Sequence, residues 1–95
     1  MFFVVLRRRG PDWNPALALE QQVRWEEHAA FMDALVDEGF VVLGGPLADE
    51  ERVVLAVEAA SPETVRERLA ADPWHGSQLI VDAVEPWTIR LDGRR

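Results

Sequence analysis

Two periodicities divide the chain. Apolar residues run unbroken through Phe2-Phe3-Val4-Val5-Leu6, and the β-branched and aromatic content up to Arg8 predicts a first strand. It meets Gly10-Pro11-Asp12-Trp13-Asn14-Pro15, where one glycine and two prolines predict a loop. From about Ala18 to Glu38 there is neither Gly nor Pro. In that stretch Trp25, His28, Phe31, Met32, Leu35 and Val36 recur at three- and four-residue steps while Glu26, Glu27, Asp33 and Asp37 take other faces. The pattern predicts a long amphipathic helix, ended by Gly39.

Phe40-Val41-Val42-Leu43 reads as a second strand, Gly44-Gly45-Pro46-Leu47-Ala48-Asp49 as a loop, and Arg52 to Glu58 as a third strand. Their closeness favours an antiparallel hairpin. Ser61-Pro62-Glu63-Thr64 offers an N-cap, a proline at the first helical position and an acidic first turn, so a second helix is predicted to about Ala71, before Pro73. Gln78 to Leu91 reads as a last strand, in which Pro86 requires a bulge or an open edge. The order β-α-β-β-α-β is that of an α+β, ferredoxin-like sandwich in one domain over residues 1–95: an antiparallel sheet with two helices on one face. The first strand, Val53 to Val57 and Leu79 to Val81 are apolar on both faces, and two helices hide only one. A second copy packing sheet against sheet would hide the other, which predicts a homodimer.

Composition narrows the chemistry. No apolar run approaches the roughly 18 residues of a membrane span, and the opening apolar stretch is too short for a signal-peptide core, so no membrane association is expected. With no cysteine, disulfides, thiolate nucleophiles and cysteine-held metals are excluded, and the cytoplasm is the expected compartment. Ten basic residues, all arginine, against seventeen acidic ones leave a net charge of −7, which argues against nucleic acid as a partner. The one basic cluster, Arg7-Arg8-Arg9, is either a solvated strand end or a local anion-attracting rim.

The chain has two histidines. His28 shares the inward helical stripe with Trp25, Phe31, Met32 and Leu35, so it is either a buried neutral imidazole bonded to a carbonyl or a general acid–base group. Asp72 either caps the turn begun by Pro73 or bonds one ring nitrogen of His28 and fixes its tautomer. His75 could join His28 and Asp72 around a metal, but the helical ligand spacing of metal motifs is absent, and no metal or cofactor is expected. Trp13 and Trp74 are aromatic covers over the core edge or walls of a ligand pocket. Gly44-Gly45-Pro46 lacks the lysine and hydroxyl residue of a phosphate loop, although bare backbone at Gly45 and Pro46 could approach a ligand.

The stretches His28 to Leu47 ("HAAFMDALVDEGFVVLGGPL"), Ala71 to Trp74 ("ADPW") and Val84 to Ile89 ("VEPWTI"), with Phe2 to Leu6 as first strand, resemble the YciI-like (YCII-related) family of dimeric α+β barrel proteins. The resemblance implies protomers paired through their sheets and a pocket with a histidine–aspartate catalytic dyad, which falls on His28 and Asp72. It also implies kinship with muconolactone isomerase-like enzymes, cofactor-independent monooxygenases and a branch that dehydrochlorinates a chlorinated hydroxyquinol. Trp25 before the histidine and "PWHG" after the aspartate set this chain apart from better-known members. The expected function is general acid–base chemistry of the isomerase or lyase type on a small cyclic or aromatic molecule. The alternative is a dimer that binds such a molecule without transforming it.

Overall fold

The computed structural model describes residues 1–94. Four strands, β1 (Phe2–Arg9), β2 (Val41–Pro46), β3 (Arg52–Glu58) and β4 (Leu79–Trp87), form one antiparallel sheet in the order β2-β3-β1-β4. Helix α1 (Trp25–Asp37) links β1 to β2, and α2 (Pro62–Ala70) links β3 to β4. This is the ferredoxin-like α+β arrangement that the element order predicts.

Period-two alternation decides which strand residues face the helices. Phe3 and Val5 of β1 and Leu55 and Val57 of β3 are buried against Leu35, Phe40, Val65 and Leu69, which form the core. Arg7 shares their face and is 1% exposed, so one residue of the arginine cluster is neither solvated nor at a rim. The opposite face of the sheet carries Phe2, Val4, Leu6, Val54, Ala56 and Ile80, all half-buried, with Leu43 and Trp87 more open. Helix α2 begins as its sequence dictates: the Ser61 side chain accepts a hydrogen bond from the Thr64 N–H at 3.1 Å, and Pro62 follows it.

Three boundaries differ from the sequence expectation, each for a physical reason. The first helix starts at Trp25 instead of near Ala18, because Arg24 is left-handed (φ 64°) and separates α1 from a 3-10 turn at Leu19–Gln21. Strand β2 continues through the glycines to Pro46, and Gly44 permits it: a Cβ there would lie 2.6 Å from Leu55 Cδ2. As β2 is an edge strand, the proline at its end breaks no central ladder. The last strand covers Leu79–Trp87 and lies on the other edge, where Pro86 pairs with Phe3 without needing a bulge. A bulge does occur nearby. The β1–β4 register shifts between Leu6 and Arg7, leaving Asp82 as the extra residue with its carboxylate 2.7 Å from Arg8 Nε.

Candidate active site

Residue 28 sits in the first turn of α1 and residue 72 just beyond α2, 44 positions apart in sequence. The structure brings them together. His28 Nδ1 lies 2.8 Å from Asp72 Oδ1 and 2.9 Å from Oδ2. A carboxylate only accepts, so Nδ1 carries the proton and donates it. In the neutral ring that leaves the lone pair on Nε2, which bonds no protein group among the described residues and belongs to a ring that lines a cavity.

Asp72 is held from two further directions. Its Oδ1 accepts the Trp74 backbone N–H at 2.8 Å, a turn that the Asp-Pro sequence favours. Its Oδ2 accepts Arg7 Nη2 at 2.6 Å, a buried ion pair with both side chains at most 1% exposed. Burial is the largest single influence on this carboxyl and pushes its pKa up. Hydrogen bonds from His28, Arg7 and Trp74, with the charge of Arg7, outweigh it and hold Asp72 below the ordinary aspartate value. Asp72 is therefore ionised at neutral pH while fully enclosed.

The sign of that shift makes an acid-stability prediction. A carboxyl whose pKa is lower in the folded than in the unfolded chain stabilises the fold fully above the ordinary aspartate value. The contribution is lost as pH falls through the lowered value. Urea midpoints measured from pH 6 to pH 2 should therefore drop more for the wild type than for Asp72→Asn. Asp49 and Asp92 are also held down to about 2, by hydrogen bonds from the Glu51 backbone and the Arg94 side chain, but both chains keep them and the comparison cancels them. Parallel curves would show that Asp72 carries no such linkage.

Two tryptophans, Trp74 and Trp25, flank the imidazole. Trp74 stacks on His28 with ring centroids 4.0 Å apart and planes 6° from parallel. It is itself fixed, since its Nε1–H donates to the Val23 carbonyl at 2.7 Å and it packs against Trp13 and Trp25 at 5.8 Å each. The imidazole plane is thus set by stacking and its tautomer by Asp72. Both are prerequisites for a directional base.

The cavity has a volume of about 490 Å³, within the range of small-molecule sites. Its floor includes Val53, Leu55 and Leu79 from the sheet, and Pro15, Leu17 and Leu19 contribute from the loop after β1. That loop forms a roof in place of the expected first turns of helix. Gln22, 4% exposed, accepts the Asn14 N–H at 2.9 Å and donates to the carbonyls of Asn14 at 2.7 Å and Leu17 at 3.1 Å. The side chain so replaces the helical partners those groups lack. The root of the loop is fixed to the segment after Trp74: Gly10 N–H donates to the Gln78 carbonyl at 2.8 Å, and a Cβ on Gly10 would lie 2.2 Å from the Ser77 carbonyl oxygen.

Of the residues that the sequence offered for substrate contact, Trp13, Pro46 and Trp74 line this cavity and Gly45 does not. Gly45 pairs with Val54, whose side belongs to the open face of the sheet, so alternation points it away. His75 is exposed, and among the described residues no cluster of three or more His, Asp or Glu is positioned to hold a metal. Sequence reasoning missed the depth of Arg7. The signal was available in its parity with Phe3 and Val5, which places it beneath the helices, where an arginine requires an acid.

Residues 1–88 match the family model of the YCII-related domain. The chain belongs to that family. No curated protein matches it. Among solved structures, this YCII-related domain is similar to 5-chloro-2-hydroxyhydroquinone dehydrochlorinase from Burkholderia phenoliruptrix, determined in complex with 2,5-dihydroxybenzoquinone. The two share 25% sequence identity over 93% of this chain and 94% of the other, with a TM-score of 0.59. No helix among the described residues is long and apolar enough to cross a membrane.

Proposed function

We propose that this YCII-related domain is a cytoplasmic, cofactor-independent acid–base enzyme of the isomerase or lyase type, acting as a single-domain homodimer on a small cyclic or aromatic molecule. The observation that carries the reading is the free Nε2 of His28 on a cavity wall, with Nδ1 bound to an ionised, enclosed Asp72. His28 takes a proton from a carbon or hydroxyl group of the substrate and can return it to another atom, which is isomerisation. Elimination of hydrogen chloride is the other outcome: the proton goes to Nε2 and chloride leaves to solvent. Asp72 receives no proton in either case. It orients the ring and stabilises the imidazolium, which also rests on the face of Trp74.

The dehydrochlorinase likeness supports elimination as the first chemistry to test, and the half-apolar open face of the sheet supports pairing of two copies there. The test is chloride release from 5-chloro-2-hydroxyhydroquinone by the purified protein, wild type against His28→Gln, with sedimentation velocity on both. Release by the wild type, its loss in the variant and twice the chain mass for each are the expected results. Equal release by the two proteins ends the assignment to His28, and a well-folded monomer at micromolar concentration ends the dimer. Saturable binding with no chloride loss from this or related ring substrates would instead assign a binding pocket without turnover.

A further inference from the structure

Arg9 follows Arg7 on the helix-facing side of β1 and lines the same cavity. Its guanidinium carbon lies 4.7 Å from the centroid of the Trp13 ring, so the cation rests on an aromatic shelf. The other arginines that are not fully exposed have carboxylate partners, Asp72 for Arg7 and Glu38 for Arg68. Arg9 has none among the described residues. Three side-chain donors of residues that line this cavity are also buried with no acceptor among the described residues: Nε of Arg7, Nε of Arg9 and Nε1 of Trp13. Buried donors are ordinarily satisfied, and a group of unsatisfied ones at one cavity marks a place where an acceptor belongs. The enclosed acid of the site, Asp72, is already occupied by His28, Arg7 and Trp74.

We propose that Arg9, held on Trp13, is the anchor for an acidic oxygen of the ligand, and that the natural ligand is a flat ring anion carrying a carboxylate, phenolate or enolate. The planar guanidinium fork takes a carboxylate through two parallel N–H bonds and a single phenolate or enolate oxygen through one charge-assisted bond, and the stacked tryptophan removes competing water from one face of it. Glu50 and Glu51 border the cavity, both exposed and unpaired with Arg9, and the chain as a whole is acidic. The long-range field therefore does not favour anions. Selection comes from short, directed hydrogen bonds at Arg9, which also confines the charged end of the ligand to the Trp13 side and leaves the rest of its ring for His28. The last step rests on the acid–base reading above; the anchor itself does not.

Calorimetric titration with 1-naphthoate and with the neutral isostere 1-naphthamide tests the anchor by binding alone. The wild type is expected to hold the anion about ten-fold tighter than the amide or more. Arg9→Gln should abolish that preference, Arg9→Lys should restore part of it, and His28→Gln should keep it. Equal affinity for the two probes in the wild type overturns the proposal, as does failure to bind either at millimolar concentration. A preference that survives Arg9→Gln, or vanishes in His28→Gln, also overturns it by moving the anion elsewhere. Each of these results is independent of chloride release, so failure of the anchor and failure of the general base are separately visible.

Discussion

Arg7→Met is expected to cost the fold about 3–5 kcal/mol, a large share of the roughly 5–15 kcal/mol such a domain commands, because it removes the counter-ion of a carboxylate that stays enclosed. The Asp72 side chain is 0% exposed, and the lost bond, 2.6 Å from Nη2 to Oδ2, is its shortest. The methionine would fill much of the arginine's volume, so a cavity contributes little and the loss reports the charge. The double variant Arg7→Met/Asp72→Asn removes the stranded charge and should recover most of that loss. Urea unfolding of the wild type, both single variants and the double variant yields the coupling between the two positions. A cost below about 1 kcal/mol for Arg7→Met would mean that the pair is screened like a surface ion pair, against the burial described above.

Turnover is expected to fall by about 10²–10⁴ in His28→Gln, and by a similar factor in Asp72→Asn, although the latter leaves the histidine in place. Residue 72 must satisfy the donors Arg7 Nη2 and Trp74 N–H as well as His28 Nδ1, and aspartate does so with two acceptor oxygens. Asparagine has only one. If its oxygen stays with the arginine cation, its amide N–H faces the imidazole and donates to Nδ1. The ring proton then moves to Nε2, where a base is required to be bare. Nitrogen-15 spectra of the histidine side chain should show this exchange of tautomer, while KM changes little because the cavity walls are intact. Unaltered tautomer and unaltered turnover in Asp72→Asn would leave the carboxylate with a capping role alone.

The His28–Asp72 contact was legible because each half lies on a strong local pattern. His28 falls on an unambiguous helical stripe, and Asp72 precedes a proline just after a well-capped helix. Two amphipathic helices laid on one sheet then bring the positions together. The roof was not legible. Residues 18 to 24 contain no Gly or Pro, and the break is made by a left-handed arginine and by Gln22 bonding backbone groups five and eight residues away, neither of which a periodicity reports. The pattern of apolar residues ends β2 at Leu43 because two glycines look like a turn, whereas Gly44 serves close packing against Leu55 and the strand runs on to Pro46. Arg7 shows the opposite failure: its parity was plain, but three arginines in a row suggested solvent, and only the buried Asp72 shows why one of them turns inward.

The Gln22–Asn14 clasp closes the roof as an Ω-loop, its two ends bonded to each other and not to the dyad. The residues between them are consequently a cassette. Doubling the length of such a loop costs only about 0.6 kcal/mol in closure entropy, so chain can be inserted or exchanged at Pro15–Gln21 while the clasp holds both ends in register. Arg7, His28 and Asp72 lie on β1, α1 and the turn after α2, outside the cassette. A fold of this size can thus change the shape of its cavity without disturbing the buried His28–Asp72–Arg7 contacts, which makes the roof the place to begin when re-engineering it.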